Sequence, residues 1–203
     1  MAGANQFELV FNKAQVQAAI LAMAATPQDI KKASDRAARH TMNAMRTLIA
    51  KSISSELNIP VNKLKTRLNV RKYGNDSPVW ILFVGLNAMP VDQIGDVSQT
   101  GAGLQHRNGM VQGGFHKDVF GNGRKGWIRK KRARTLGLNL PGLEKGKNNV
   151  TFRGNLAGRY PVVRISTDLG GMAQTIINHW QSKSRARFLT RFEHELKFIT
   201  EKK

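Results

Sequence analysis

Residues 26–57 read TPQDIKKASDRAARHTMNAMRTLIAKSISSEL, and this stretch predicts a long first helix. Thr26 suits the position before the first turn, Pro27 suits the first helical position, and Asp29 complements the helix dipole. Asn58, followed two positions later by a proline, ends the helix. Apolar or small residues recur at helical spacing, namely at Ile30, Ala33, Ala37, Met45, Leu48, Ile49, Ile53 and Leu57.

A second long helix is predicted towards the end of the sequence, beginning near Thr167 and Asp168. Its apolar positions also repeat with a helical period, at Leu169, Met172, Ile176, Trp180, Phe188, Phe192, Leu196 and Ile199. Neither long helix contains an internal proline. A shorter, Ala-rich helix is expected over residues 14–25, within an N-terminal arm formed by residues 1–26.

The segment between the two long helices is typical of strands. Residues 79–84, VWILFV, form a short apolar run bounded by turn residues, which indicates a buried strand. Residues 159–165 predict a second strand, and Pro161 places it at a sheet edge or at a strand start. Weaker signals at 111–120 and 126–129 predict two facing strands, joined through a Gly-Asn-Gly turn.

This order of elements indicates an α+β domain, in which long N-terminal and C-terminal helices pack on a small, mostly antiparallel sheet. Residues 27–203 would form this single domain, which is of ordinary size. Long, polar, Gly-rich loops are expected at about 95–109 and 135–149. No stretch approaches the ~20 apolar residues of a membrane span.

The chain is strongly basic, because 33 Lys and Arg residues against 13 Asp and Glu give a net charge of +20. The excess lies in two blocks, residues 27–73 (11 basic, 3 acidic) and 101–166 (14 basic, 2 acidic). Repulsion between so many positive charges destabilises a compact chain unless an anionic partner neutralises the charges. The pattern therefore favours contact with nucleic acid, an acidic protein surface or a membrane surface, and of these we expect no membrane partner.

The densest basic segment, residues 124–134, is the candidate binding site, for either nucleic acid or an acidic subunit. Each phosphate that it neutralised would also release counterions. A lone tryptophan is a poor platform for stacking on a base, so we interpret Trp127 as a core anchor. Seven of the eleven positions are basic, namely Arg124, Lys125, Arg129, Lys130, Lys131, Arg132 and Arg134.

No catalytic, metal or cofactor site is predicted, and we expect the protein not to be an enzyme. It has no cysteine, which excludes thiolate metal sites and cysteine nucleophiles, and the five histidines lack metal-ligand spacing. The Gly-rich stretches lack the Gly-Lys-Ser/Thr of a phosphate loop, and no Ser/His/Asp arrangement is found. A metal-dependent nuclease would have to use residues from flexible segments, namely Asp92, Asp96, His106 and His116.

The order and spacing of these stretches resemble the minor tail protein Z family of tailed bacteriophages, also called tail completion proteins. The similarity rests on the Ala-rich helix at 33–45, the basic passage at 59–68, the aromatic-glycine-basic stretch at 115–129, and residues 159–163 before the closing helix. Together these stretches cover most of the chain from the first long helix onward. The family has no catalytic motif, so the resemblance implies no active-site residue.

The resemblance implies a structural virion protein, made in the host cytoplasm and placed at the head-proximal end of the tail. Such proteins act after tube polymerisation and prepare the tail to join the head and to receive the DNA end. The partners implied are further copies in a homohexameric ring, neighbouring tail and head–tail connector proteins, and DNA phosphates. The alternative that charge alone suggests is a stand-alone, sequence-independent nucleic-acid-binding protein; the nuclease is a third.

Overall fold

The computed structural model of the protein describes residues 5–7, 17, 20, 25–74, 79–143 and 161–201. In that part of the chain the helices are α1 (Pro27–Leu57), α2 (Val61–Lys65), α3 (Val91–Ile94), α4 (Lys130–Thr135) and α5 (Gly170–Thr200). The strands are β1 (Asn5–Phe7), β2 (Leu68–Tyr73), β3 (Val79–Val84), β4 (Met89–Pro90), β5 (Ser98–Gln99), β6 (Gly103–His106), β7 (Gly109–Gln112), β8 (Gly114–Lys117), β9 (Lys125–Arg129), β10 (Val162–Arg164) and β11 (Ser166–Thr167). These elements confirm the α+β class.

Helix α1 begins and ends where local chemistry predicts. Thr26 Oγ1 accepts a hydrogen bond from the Asp29 N–H at 3.3 Å, and the Asp29 carboxylate accepts one from the Thr26 N–H at 3.2 Å. At the far end Asn58 adopts a left-handed conformation with φ of 50°, which asparagine tolerates. The Arg107 side chain donates to the Asn58 carbonyl at 2.9 Å, and the Asn108 side-chain amide donates to the Leu57 carbonyl at 2.9 Å. The β6–β7 turn thus satisfies carbonyls that the last helical turn leaves free.

Helix α5 begins at Gly170, after the residues predicted as its start have formed β11 and a short connection. Its apolar stripe is confirmed over the second half of the helix, where Phe188, Phe192 and Leu196 are buried. The prediction for Met172 is wrong, because this side chain is 46% exposed. Its neighbour Ala173 is buried, as is Ile177 one helical turn later on the same face, so Met172 is turned towards solvent.

The first hydrophobic core lies between the two long helices and a three-stranded sheet of order β1-β3-β2. Strand β3 has the predicted bounds and is the central strand of this sheet. Its Leu82 and Val84 are buried in one cluster with Met45 and Ile49 of α1 and Ile177 of α5. The helices that bracket the sequence are therefore joined in space through this core.

A polar contact fixes α1 on the sheet. The Asp35 carboxylate accepts hydrogen bonds from the Trp80 indole at 2.9 Å and from the Lys72 ammonium at 3.0 Å. Burial acts to raise the pKa of Asp35, but these hydrogen bonds and the lysine charge outweigh it and lower the pKa below its ordinary value. The carboxylate thus joins α1 to β2 and β3 in its charged form.

Three smaller antiparallel sheets, of order β10-β9-β8, β5-β6-β7 and β11-β4, build the second half of the fold. Strands β8 and β9 face each other, as predicted, and β10 is an edge strand, as Pro161 indicates. The predicted positions 159 and 160 of that strand lie outside the described residues. The strand predicted over 111–120 is instead two strands, because Gly113, with φ of 69°, turns the chain.

The prediction of a loop over 95–109 is wrong, because strands β5, β6 and the start of β7 lie there. A methyl group at Gly103 would collide with the Val111 carbonyl oxygen, so this glycine permits close strand packing rather than flexibility.

Within the loop predicted over 135–149, Leu140 is buried in a second core, and residues 144–149 lie outside the described part. That second core is formed by Val91, Leu104, Ile128, Ala133, Leu140, Val163 and Ile165.

The predicted N-terminal helix over 14–25 falls mostly outside the described residues, although positions 17 and 20 are helical. The N-terminal arm also contributes β1, which pairs with β3 from Asn5 opposite Val84 to Phe7 opposite Leu82. None of the described helices is long and apolar enough to cross a membrane.

Candidate anion-binding surface

The basic segment 124–134 forms a strand followed directly by a helix. Strand β9 carries its first half and α4 carries the second half. Arg129 joins them with an extended backbone (φ −66°, ψ 132°) and makes no side-chain cap hydrogen bond. The Lys130 N–H donates to the Pro161 carbonyl at 2.8 Å, which holds the junction against the chain entering β10. The segment is thus an ordered unit of secondary structure.

Apolar residues on both faces of this unit are buried and anchor it. Ile128 and Ala133 are fully buried in the second core, one from β9 and one from α4. Trp127 is 7% exposed, its indole N–H donates to the Lys117 carbonyl at 3.0 Å, and the Phe120 ring meets its edge at 5.2 Å between centroids. The interpretation of Trp127 as a core anchor is therefore confirmed, and its buried ring is not available to stack on a base.

The basic residues of the unit lie at or near its surface. Lys125 and Lys130 are half-buried, and the other five are exposed, namely Arg124, Arg129, Lys131, Arg132 and Arg134. Two of them are held by neutral partners: Arg132 donates to the Gln112 side chain at 3.3 Å, and Arg134 donates to the Leu143 carbonyl at 3.1 Å. These bonds orient the guanidinium groups without neutralising their charge.

The surface lacks counterions within the described part of the chain, where none of the seven basic residues forms an ion pair. Basic residues elsewhere do: Arg164 pairs with Asp92, and Arg191 contacts Glu195 at 2.6 Å. Arg164 lies on β10 opposite Trp127, so a neutralised arginine borders the unpaired ones. The described residues thus leave the charge of the 124–134 surface without an ion-pair partner.

A hollow of about 810 Å³ opens beside Arg129, between β8 and the start of β10, and Lys117 and Asp118 also line it. The Asp118 carboxylate accepts hydrogen bonds from the N–H groups of the following turn, at 3.1 Å from Gly123. Desolvation acts to raise the pKa of Asp118, but these backbone hydrogen bonds outweigh it and lower the pKa. The carboxylate is thus engaged in shaping the turn.

Lys117 was missed by reasoning from local charge density. The pairing of β8 with β9 places it directly opposite Lys125, so it extends the basic surface onto the neighbouring strand. The predicted Gly-Asn-Gly turn does not contain this information, because a hairpin centred on Asn122 would place Lys117 opposite Trp127, two residues from the observed register.

The residues of the nuclease alternative are not brought together as a metal site. Asp92 is engaged with Arg164, and His106 lies at the end of β6, where burial lowers its pKa and its Nδ1 accepts a hydrogen bond from Asn108. Among the residues that the structure describes, no group of three or more His, Asp or Glu side chains is placed to hold a metal ion.

No family model, no curated protein and no solved structure matches the chain.

Proposed function

We propose that the protein is a non-catalytic assembly protein that docks its 124–134 surface onto an acidic partner at the head-proximal end of a bacteriophage tail. The observation that carries this proposal is the anchored β9–α4 unit, from which seven basic side chains project without an ion-pair partner among the described residues. Because the unit is already folded, contact with a partner orders few additional groups. The virion location rests on the family resemblance of the sequence.

The charge distribution supports docking rather than catalysis. Like charges gathered on one short segment repel each other, and an acidic subunit or DNA phosphates remove that cost on contact. The expected partners are further copies of the chain in a ring, the neighbouring tail and connector proteins, and the DNA end. The role is completion of the tail so that it can join the head.

The test is to neutralise Arg129, Lys130, Lys131 and Arg132 together with glutamine. These side chains lie outside the second core, so we expect the circular dichroism spectrum and melting temperature to stay close to those of the wild type. Assembly onto tails, measured by imaging and by native mass spectrometry, is expected to fall, as is retention of DNA in the particle.

A matched control removes the same charge elsewhere, with glutamine at the exposed Lys32, Arg39, Lys51 and Lys63. This control is expected to assemble as the wild type does. Equal impairment by both variants would show that net charge matters and the 124–134 surface does not. Unfolding of the first variant would show that its side chains are structural, and the site assignment would then be wrong.

The same surface supports a second candidate, a stand-alone nucleic-acid-binding protein, because basic side chains without carboxylate partners also suit phosphates. For random duplex DNA, log K should fall with log salt by about 0.9 per neutralised phosphate, so the four-residue variant should flatten the slope by up to about 3.6. Tail association without salt-dependent duplex binding favours the assembly role, whereas strong duplex binding without tail association favours the second candidate.

A further inference from the structure

A second cationic site lies in a groove between the two long helices. The groove has a volume of about 920 Å³, and α1 and α5 each form one wall. Ala44 and Ala186 line it, so small side chains leave space between helices that pack closely elsewhere. This space is independent of the β9–α4 unit.

Two buried polar atoms at this groove have no hydrogen-bond partner. They are Thr41 Oγ1, on a residue that is 1% exposed, and Arg191 Nε. The described residues contain four such side-chain atoms, and half of them belong to residues that line this one groove. Both atoms have almost no exposed surface, so an acceptor of a partner reaches them only if the neighbouring side chains move apart. Because a buried polar group without a partner destabilises the folded state, an occupant that supplies an acceptor favours such a movement.

The groove is also positively charged. Arg187 and Arg191 line it together with His40 and His194, and none of the described residues that line it is acidic. Glu195 lies beneath, 7% exposed, and contacts Arg191 at 2.6 Å and Arg36 at 3.8 Å. This single carboxylate is shared by two arginines, so it orients Arg191 without neutralising the groove.

We infer that the groove binds a glutamate or aspartate side chain from an acidic segment of a partner protein. A carboxylate complements the two arginines and can accept hydrogen bonds from both a hydroxyl and a guanidinium N–H. Flanking small apolar residues of the segment would pack on Ala44 and Ala186. A protein side chain fits better than a duplex phosphate, because the floor residue Thr41 is almost fully buried and a phosphate is fixed to a wide, rigid backbone.

The test uses a short fluorescein-labelled peptide of alternating alanine and glutamate, with fluorescence anisotropy on the full-length protein at physiological salt. A peptide with glutamine in place of glutamate is the ligand control. Arg187→Glu reverses an exposed charge of the groove, and Arg185→Glu makes the same change two residues away on α5, at an exposed position outside the groove. Residues two apart on a helix do not share a face, so Arg185→Glu is a matched control.

We expect the wild type and Arg185→Glu to bind the glutamate peptide within about threefold of each other, and Arg187→Glu to bind at least about tenfold more weakly. Thr41→Val is expected to weaken peptide binding and to raise the melting temperature, because it removes a hydroxyl that has no partner in the unbound protein. A purely structural threonine would not give this opposite pair of effects.

Several results would overturn the inference. These are equal weakening by Arg187→Glu and Arg185→Glu, equal binding of the glutamate and glutamine peptides, and no saturable peptide binding at all. A greater loss of duplex DNA binding than of peptide binding in Arg187→Glu would assign the groove to nucleic acid instead. The inference does not rest on the 124–134 surface, since Arg187→Glu leaves that surface unchanged.

Discussion

Gly126 positions the basic strand β9 on the second core, and replacing it with alanine tests that arrangement. A Cβ atom at this position would lie 2.7 Å from Leu104 Cδ2 and 3.0 Å from Val91 Cγ2. Both of these residues are buried, Leu104 at 0% and Val91 at 2% exposure. Neither has open solvent into which it can withdraw, so the added methyl group must displace packed side chains or the strand itself.

The size of the effect follows from these distances. Carbon atoms in contact prefer a separation of about 3.5–4.0 Å, so the Leu104 methyl group must move by roughly 0.8 Å. Overpacking of this kind costs about 1–3 kcal/mol. The reduced freedom of the unfolded chain offsets about 0.4–1 kcal/mol of it. The two ranges together allow a loss of up to about 2.6 kcal/mol, and their middle values give a loss of about 1.3 kcal/mol in the free energy of unfolding for Gly126→Ala. This middle value corresponds to a melting temperature lower by about 3–5 °C.

Urea unfolding followed by circular dichroism measures this change, with Gly101→Ala as the control. Gly101 has nothing within 4 Å of the position of its Cβ, so its replacement should be neutral or slightly stabilising. Combining Gly126→Ala with Leu104→Ala should cost less than the sum of the two single changes, because the new methyl group fills part of the cavity. Equal stabilities of the two glycine variants, or strict additivity in the double variant, would refute the reasoning.

Two further predictions concern α1, namely its contact with the sheet through Asp35 and its N-terminal cap at Thr26. Asp35→Asn should lower the free energy of unfolding by about 0.5–1.5 kcal/mol at neutral pH. Because the folded-state pKa of Asp35 is lowered, this contribution is present above the ordinary carboxyl pKa and is lost as pH falls through the lowered value, so urea titrations of wild type and variant should converge at acidic pH. Thr26→Ala removes the side-chain cap seen at 3.3 Å and should cost about 1 kcal/mol in the same assay; an unchanged midpoint would contradict the capping role.

The long helices could be predicted because their signals are local. The cap at Thr26, the left-handed Asn58 and the spacing of apolar residues depend on neighbours in sequence. The placement of Met172 failed because a helical stripe that shifts by one residue still fits the period, and only packing on α1 distinguishes Met172 from Ala173. The strands within 95–109 failed for a different reason, since they are two to four residues long and their close approach at Gly103 depends on a partner strand.

The candidate surface was predictable to a similar extent. Charge density along the chain indicates residues 124–134 directly, and the isolation of Trp127 among basic residues indicates its burial. The groove between α1 and α5 could not be found in this way, because Thr41 and Arg191 are 150 positions apart in the sequence. No periodicity shows that these two residues line one groove, or that none of the described residues lining it is acidic.

The pairing of α1 with α5 also has a consequence for synthesis on the ribosome. Gly170 follows Leu57 by 113 positions, so at about 5–20 residues per second at least roughly 6–23 seconds pass before the first residue of α5 is added. During that interval α5 does not yet cover the α1 residues Ala33, Ala37 and Met42, which are fully buried in the folded protein. The nascent chain therefore exposes an apolar helical face. Chaperones that bind such faces are expected to determine how much of the protein reaches its native state.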